Sequence, residues 1–144
     1  MAAQEAQTVL DCRIKRGDFS RGGEASSQLK SILQKLGIPT KVIRKISIAT
    51  YELEMNIIIH SEGGKLKVKV DSEKIKIIAK DDGPGIEDVE QAFKPGYSTA
   101  DESIRELGFG AGMGLCNIER YSDEIDVESE LGEGTRIEAD IYFN

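Results

Sequence analysis

KLKVKVDSEKIKIIAKDDGPG, residues 65–85, is the stretch that decides the fold. KLKVKVD alternates Lys with Leu and Val, and after a short Ser-Glu turn KIKIIAKD resumes the alternation with Ile. Side chains on a strand point to opposite faces in turn, so both runs predict strands with one wet face and one buried face, joined as a hairpin. The second run ends abruptly in Asp81-Asp82-Gly83-Pro84-Gly85. A surface turn needs only one or two such residues. The cluster reads either as an emphatic strand terminator or as a floor where bare backbone meets a ligand. Asp81, closing a buried strand, could accept a hydrogen bond from an amino group. Gly83 and Gly85 lack a Cβ and would let backbone approach a flat ring.

Upstream, TVLDCRIKR (8–16) reads as a strand and GDFSRGGE as a loop. ASSQLKSILQKLG then places Leu29, Ile32, Leu33 and Leu36 at helical spacing, and Gly37 with Pro39 stops that helix. Thr40 is placed to cap a second helix running to about His60. Val42, Ile46, Ala49, Leu53 and Ile57 step by three or four, a single apolar stripe, and Glu62-Gly63-Gly64 ends the pattern.

Downstream, EDVEQAF (87–93) is a short helical piece, followed by a glycine- and polar-rich stretch over 94–112. A connection that long is characteristic of lids or disordered segments. MGLCNIERYSD reads as a helix, and EIDVESE and TRIEADIYF close the chain as a hairpin around Leu-Gly-Glu-Gly. The order predicts one domain over 1–144. Its fold class is α+β, a two-layer sandwich whose mixed, mostly antiparallel sheet carries helices on one face. The other face of such a sheet could pair two copies.

Composition narrows the partners. With 19 Lys+Arg against 26 Asp+Glu the net charge is −7, which argues against nucleic acid as the main partner. Arg13, Lys15, Arg16 and Arg21 gather near the N-terminus, as a solvated strand edge or as a docking patch for an acidic protein. No apolar run approaches the roughly 20 residues of a membrane span. MAAQEAQ lacks the basic start and apolar stretch of a secretory signal, so a cytoplasmic protein is expected. Cys12 and Cys116 lack metal-ligand spacing and are expected as buried small hydrophobes. A lone His60 excludes a multi-His metal site.

Four short patterns carry candidate chemistry. In YELEMNIIIH, Glu52 and Asn56 stand four apart on one helical face bordering the apolar stripe. Asn offers a neutral oxygen to a hard cation such as Mg2+, and Glu can take a proton from a hydroxyl or water. Solvated residues on a helix would show the same pattern. The second is the Asp81 cluster. The third is GFGAGMGL (108–115), alternate glycines leading into a helix, where free N–H groups and the helix dipole suit phosphate. Its spacing is not that of a P-loop, and it does not follow a strand as a Rossmann fingerprint must. The fourth is Gly132-Glu133-Gly134-Thr135 in the last hairpin, which an ordinary turn also explains.

Taken in order, the four resemble the boxes of the GHKL (Bergerat-fold) ATP-binding family, which groups gyrase, Hsp90, histidine kinases and MutL. ELEMN resembles its N box, DDGPG its DxGxG box, GFGAGMGL its second glycine box and GEGT its final signature. The likeness covers about residues 8–143. Within the family, the chain looks like the small bacterial anti-sigma-factor and switch serine-protein kinases. GYST and a first helix ending in LGIP lie nearer the RsbT type than the SpoIIAB or RsbW type, and DESIREL stands as an insertion before the glycines.

The resemblance implies a role for each residue. Asn56 would be the Mg2+ ligand and Glu52 the acid that activates the attacking hydroxyl. Asp81 would hold the adenine amino group of ATP, with Gly83 and Gly85 shaping that wall and Thr135 supporting it through a hydrogen bond. Gly110, Gly112, Met113 and Gly114 would line the phosphates, and Ser98 and Thr99 would lie in an ATP lid. The implied activity is transfer of phosphate from ATP to a serine or threonine of a STAS-domain antagonist protein. A sigma factor or a phosphatase is a further implied partner. The alternative is a non-catalytic module in which nucleotide gates sequestration of a sigma factor or phosphatase. A third reading is an ATPase that transfers phosphate to water.

Overall fold

The computed structural model describes residues 6–83 and 114–143. In chain order these form β1 (Gln7–Ile14), α1 (Glu24–Lys35), α2 (Thr40–His60), β2 (Gly64–Val70), β3 (Lys74–Asp81), α3 (Gly114–Tyr121), β4 (Glu124–Glu130) and β5 (Gly134–Tyr142). The strands lie side by side as β1-β2-β3-β5-β4. Every pairing among these strands is antiparallel, where a mixed sheet had been allowed for. EDVEQAF and the segment 94–112 lie outside the described residues.

Register explains why the lysine alternation works. Leu66, Ala79, Ile137 and Val127 form one row across four strands, and Val68, Ile77, Ala139 and Ile125 form the next. Those rows face the helices, and Leu66, Val68, Ile77 and Ala139 are fully buried. The lysines fall on the opposite face, half-buried or exposed. There Lys74 pairs with Asp140 at 3.1 Å and Lys76 with Glu138 at 3.2 Å. These part-buried pairs link β3 to β5 across the outer face.

The long helix α2 lies between the sheet, α1 and α3. Its expected stripe is buried at Ile46, Ala49, Leu53 and Ile57, while Val42 is only half-buried and Ile43 takes its place. Thr50, Glu54, Met55 and Ile58 are buried as well, because neighbouring helices cover flanks that a single stripe would leave open. Leu29 and Leu33 from α1 and Ile118 from α3 complete the core with no exposure. Each such aliphatic side chain contributes about 1.5–3 kcal/mol.

Three local expectations need correction. Thr40 is not the cap of α2: Pro39 is, and its carbonyl accepts the N–H groups of Val42 and Ile43 at 3.0 Å with no side-chain cap. Leu36 is 54% exposed because it is the capping residue just past α1, where Gly37 at φ 75 turns the chain away. The cysteines are free and half-buried rather than buried, one on the edge strand β1 and one on the short α3. Burial also pushes the Cys12 thiol up, aided by the carboxylates of Glu54, Asp11 and Glu24.

Candidate functional site

At the end of β3 the Asp81 side chain turns back on its own chain. Its Oδ1 accepts the N–H of Gly83 at 2.9 Å, the local turn that short acidic side chains favour. The same oxygen accepts the N–H of Thr135 at 3.1 Å, from the start of β5. One carboxylate oxygen therefore ties two strand ends together, and among the described residues Oδ2 has no partner. The support expected from Thr135 is made by its backbone N–H. Its hydroxyl lies 2.9 Å from the Ser129 hydroxyl instead.

Burial pushes the Asp81 carboxyl above the usual carboxylate range. The N–H groups of Gly83 and Thr135 pull it part of the way back, and Asp82 beside it pushes it up. Two glycines let the backbone close tightly around it. A Cβ on Gly83 would sit 2.8 Å from the Cα of Ser61, and one on Gly134 would run into the carbonyl oxygen of Asp81. Gly134 also holds φ at 110, where a side chain is strained in any case. The outcome is a half-buried carboxylate with glycine backbone packed on either side.

Ser61, against which Gly83 packs, ends α2; its hydroxyl donates to the carbonyl of Ile57 at 2.6 Å. Asn56 lies five residues before Ser61, about 7.5 Å along the axis. Glu52 sits one turn earlier on the same face. Both are half-buried beside the fully buried Leu53 and Ile57. The Glu52 carboxylate has one partner among the described residues: the side-chain amide of Asn117 on α3 donates to Oε1 at 3.3 Å.

Glu54, two residues on, faces the other way and was not singled out from sequence. Its carboxylate accepts the N–H groups of Ala25 at 3.1 Å and Ser26 at 3.4 Å, so α2 supplies the cap for the first turn of α1. Gly23, the residue before that turn, has no side chain to do it. Burial pushes the Glu54 carboxyl up, opposed by these backbone N–H groups and reinforced by Glu24. A cavity of about 100 Å³ opens here, lined by Cys12, Arg21 and Glu54 among others. The nearby basic cluster is partly neutralised, since Arg16 grips both oxygens of Glu62 at 2.8 and 2.9 Å.

Of the other candidates, Gly114 begins α3. Gly85, Ser98, Thr99, Gly110, Gly112 and Met113 lie outside the described residues. A cation that arrives on a polyphosphate would need few protein donors, and the Asn56 side-chain oxygen is of the right kind. Among the described residues no cluster of three His, Cys, Asp or Glu side chains forms a protein-only metal cage. A single Asn oxygen beside a polyphosphate is the sparse ligation Mg2+ accepts.

Residues 42–143 match the family model described as "Histidine kinase-, DNA gyrase B-, and HSP90-like ATPase". The chain is 33% identical over 120 residues to the serine/threonine-protein kinase RsbT of Bacillus subtilis (strain 168), covering 80% of this chain and 84% of that protein. It is 36% identical over 106 residues to an anti-sigma F factor of Thermoanaerobacter sp. (strain X514), covering 70% of this chain and 71% of that one. In three dimensions it resembles a chain of the SiaB-SiaC complex from Pseudomonas aeruginosa. There the TM-score is 0.62 at 15% identity, over 93% of this chain and 91% of the other. The mycobacterial sensor histidine kinase MprB aligns with a TM-score of 0.51 at 15% identity, over 92% and 97%.

Proposed function

The chain belongs to the histidine kinase-, DNA gyrase B- and HSP90-like ATPase family, and from that premise we propose that it is an ATP-dependent serine/threonine-protein kinase of a bacterial partner-switching system, acting on a STAS-domain antagonist protein. Two features support the reading. One is the half-buried Asp81 carboxylate at the end of β3, whose Oδ2 has no partner among the described residues. The other is a Glu/Asn couple on α2, the helix whose following residue, Ser61, lies against Gly83.

In this reading Asp81 Oδ2 receives the exocyclic amino group of adenine, while Oδ1 stays committed to Gly83 and Thr135. Gly83 and Gly85 would shape the wall against which the ring lies. Asn56 would hold Mg2+ through its side-chain oxygen; the ion, when bound, offsets phosphate charge that an acidic protein otherwise repels. Backbone at Gly110, Gly112, Met113 and Gly114 would face the phosphates, with Ser98 and Thr99 in the lid. Glu52 takes the proton from a serine or threonine hydroxyl of the partner. That oxygen bonds to the γ-phosphorus as the bond to the β–γ bridging oxygen breaks, and ADP leaves. A positioned base contributes about 10²–10⁴-fold. The product is a phosphate dianion at a protein surface, enough to break or make an interface. Such a switch would work in the cytoplasm. No helix among the described residues is long and apolar enough to cross a membrane.

The test is incubation with γ-labelled ATP and candidate STAS-domain proteins. Label on a serine or threonine of one of them is the expected result. The similarity to an anti-sigma F factor keeps a second reading in view, a nucleotide-gated module that sequesters a sigma factor or phosphatase. ATP binding without label transfer to any acceptor would favour that reading. Phosphate release to water alone would favour the ATPase.

A further inference from the structure

The geometry points to Asn117 as a positioning residue for Glu52, an inference that rests on reading Glu52 as the base. Its side-chain amide donates to Glu52 Oε1 at 3.3 Å, and no other hydrogen bond or ion pair reaches that carboxylate among the described residues. A flexible glutamate on a helix surface samples several rotamers. One directed N–H restricts it and leaves Oε2 open to an incoming hydroxyl. An amide does this without charge. A lysine or arginine in its place would hold the carboxylate more tightly but stabilise its ionised form and weaken it as a base.

The donor is itself well fixed. Asn117 sits between Cys116 and Ile118 on α3, and Ile118 has no solvent exposure. Leu115, two residues earlier, is 7% exposed. With those two side chains anchored in the core, the half-buried Asn117 cannot drift from α2 without repacking it. Because Asn117 lies on α3 and Glu52 on α2, the bond sets the base relative to the helix that begins at Gly114.

The experiment measures release of labelled phosphate from γ-labelled ATP with water as acceptor, together with ATP affinity, for four proteins: wild type, Asn117→Leu, Glu52→Ala and the double variant. Asn117→Leu should lower kcat about 10- to 100-fold while the KM for ATP stays within about twofold. In the Glu52→Ala background the same change should have no further effect, because a positioning residue has nothing left to position. Asn117→Gln, which keeps an amide donor, should recover part of the rate. If Asn117→Leu melts early, Asn117→Ser replaces it in the same cycle. Unchanged kcat in a folded Asn117 variant, or an equal loss in the presence and absence of Glu52, overturns the inference while leaving the base intact. Wild-type turnover in Glu52→Ala overturns the base assignment and this inference with it.

Discussion

The carboxylate of Glu54 on α2 accepts the backbone N–H of Ala25 on α1 at 3.1 Å, so one helix caps another. Glu54→Ala leaves buried donors at the start of α1 without partners, which costs about 1–3 kcal/mol. The variant should unfold at lower urea concentration with its m-value unchanged. An unaltered midpoint would show the cap to be dispensable.

The same residue makes stability depend on pH. Burial raises the folded-state affinity of the Glu54 carboxyl for a proton, with Asp81 shifted in the same direction. The folded protein therefore binds more protons than the unfolded chain in the window just above the ordinary carboxylate range. Stability should fall as pH rises through that window, and Glu54→Gln should flatten the slope. Urea midpoints measured at successive pH values check the sign; a rise across the window would contradict it.

Asp81→Asn keeps an acceptor oxygen for Gly83 and Thr135 but can turn an N–H2 group toward the adenine amino group. Nucleotide affinity should drop at least about tenfold, or about 1.4 kcal/mol, with a smaller change in melting temperature. Calorimetric titration with ATP decides it: an unchanged Kd removes Asp81 from the site.

Asn56→Ala and Glu52→Ala should separate binding from chemistry. The first loses Mg2+-dependent nucleotide affinity, whereas the second binds ATP normally and transfers phosphate about 10²–10⁴-fold more slowly. Equal ATP affinity and activity in Asn56→Ala would refute its assignment to the metal.

Gly134→Ala and Gly132→Ala form a matched pair in the last hairpin. Both glycines have positive φ, 110 and 82, but only at Gly134 would a Cβ meet another strand, at the backbone of Asp81. Gly132→Ala should cost about 1–2 kcal/mol from backbone strain alone. Gly134→Ala should cost more and also weaken ATP binding, because Asp81 must shift. Thermal melts and titrations on both variants give the comparison, and equal losses would mean that the close approach is unimportant.

Much of this architecture was legible because burial imposes its period on a strand directly. The lysine–aliphatic alternation of β2 and β3 needed no tertiary knowledge, and Asp81 stood out as a carboxylate where an apolar strand stops. Helices were harder to read. The spacing along α2 revealed one apolar stripe but not that α1 and α3 would cover its flanks, so Glu54 looked like any solvated glutamate. Asn117 was equally silent, since its meaning comes from Glu52, 65 positions away. Thr40 misled because its side chain suits a cap, yet the Pro39 carbonyl already accepts the first helical N–H groups. The cysteines misled because residue type suggests an interior, whereas Cys12, though flanked on β1 by the buried Leu10 and Ile14, lines the cavity beside Glu54.

Within ELEMN, Glu52 leans to α3 and Glu54 to α1. Inserting or deleting a single residue upstream in that helix would turn everything beyond it by about 100°, swinging both acids away from their neighbours at one stroke. Evolutionary length variation should therefore be tolerated at the Ser72–Glu73 bend and shunned between Thr40 and Glu54.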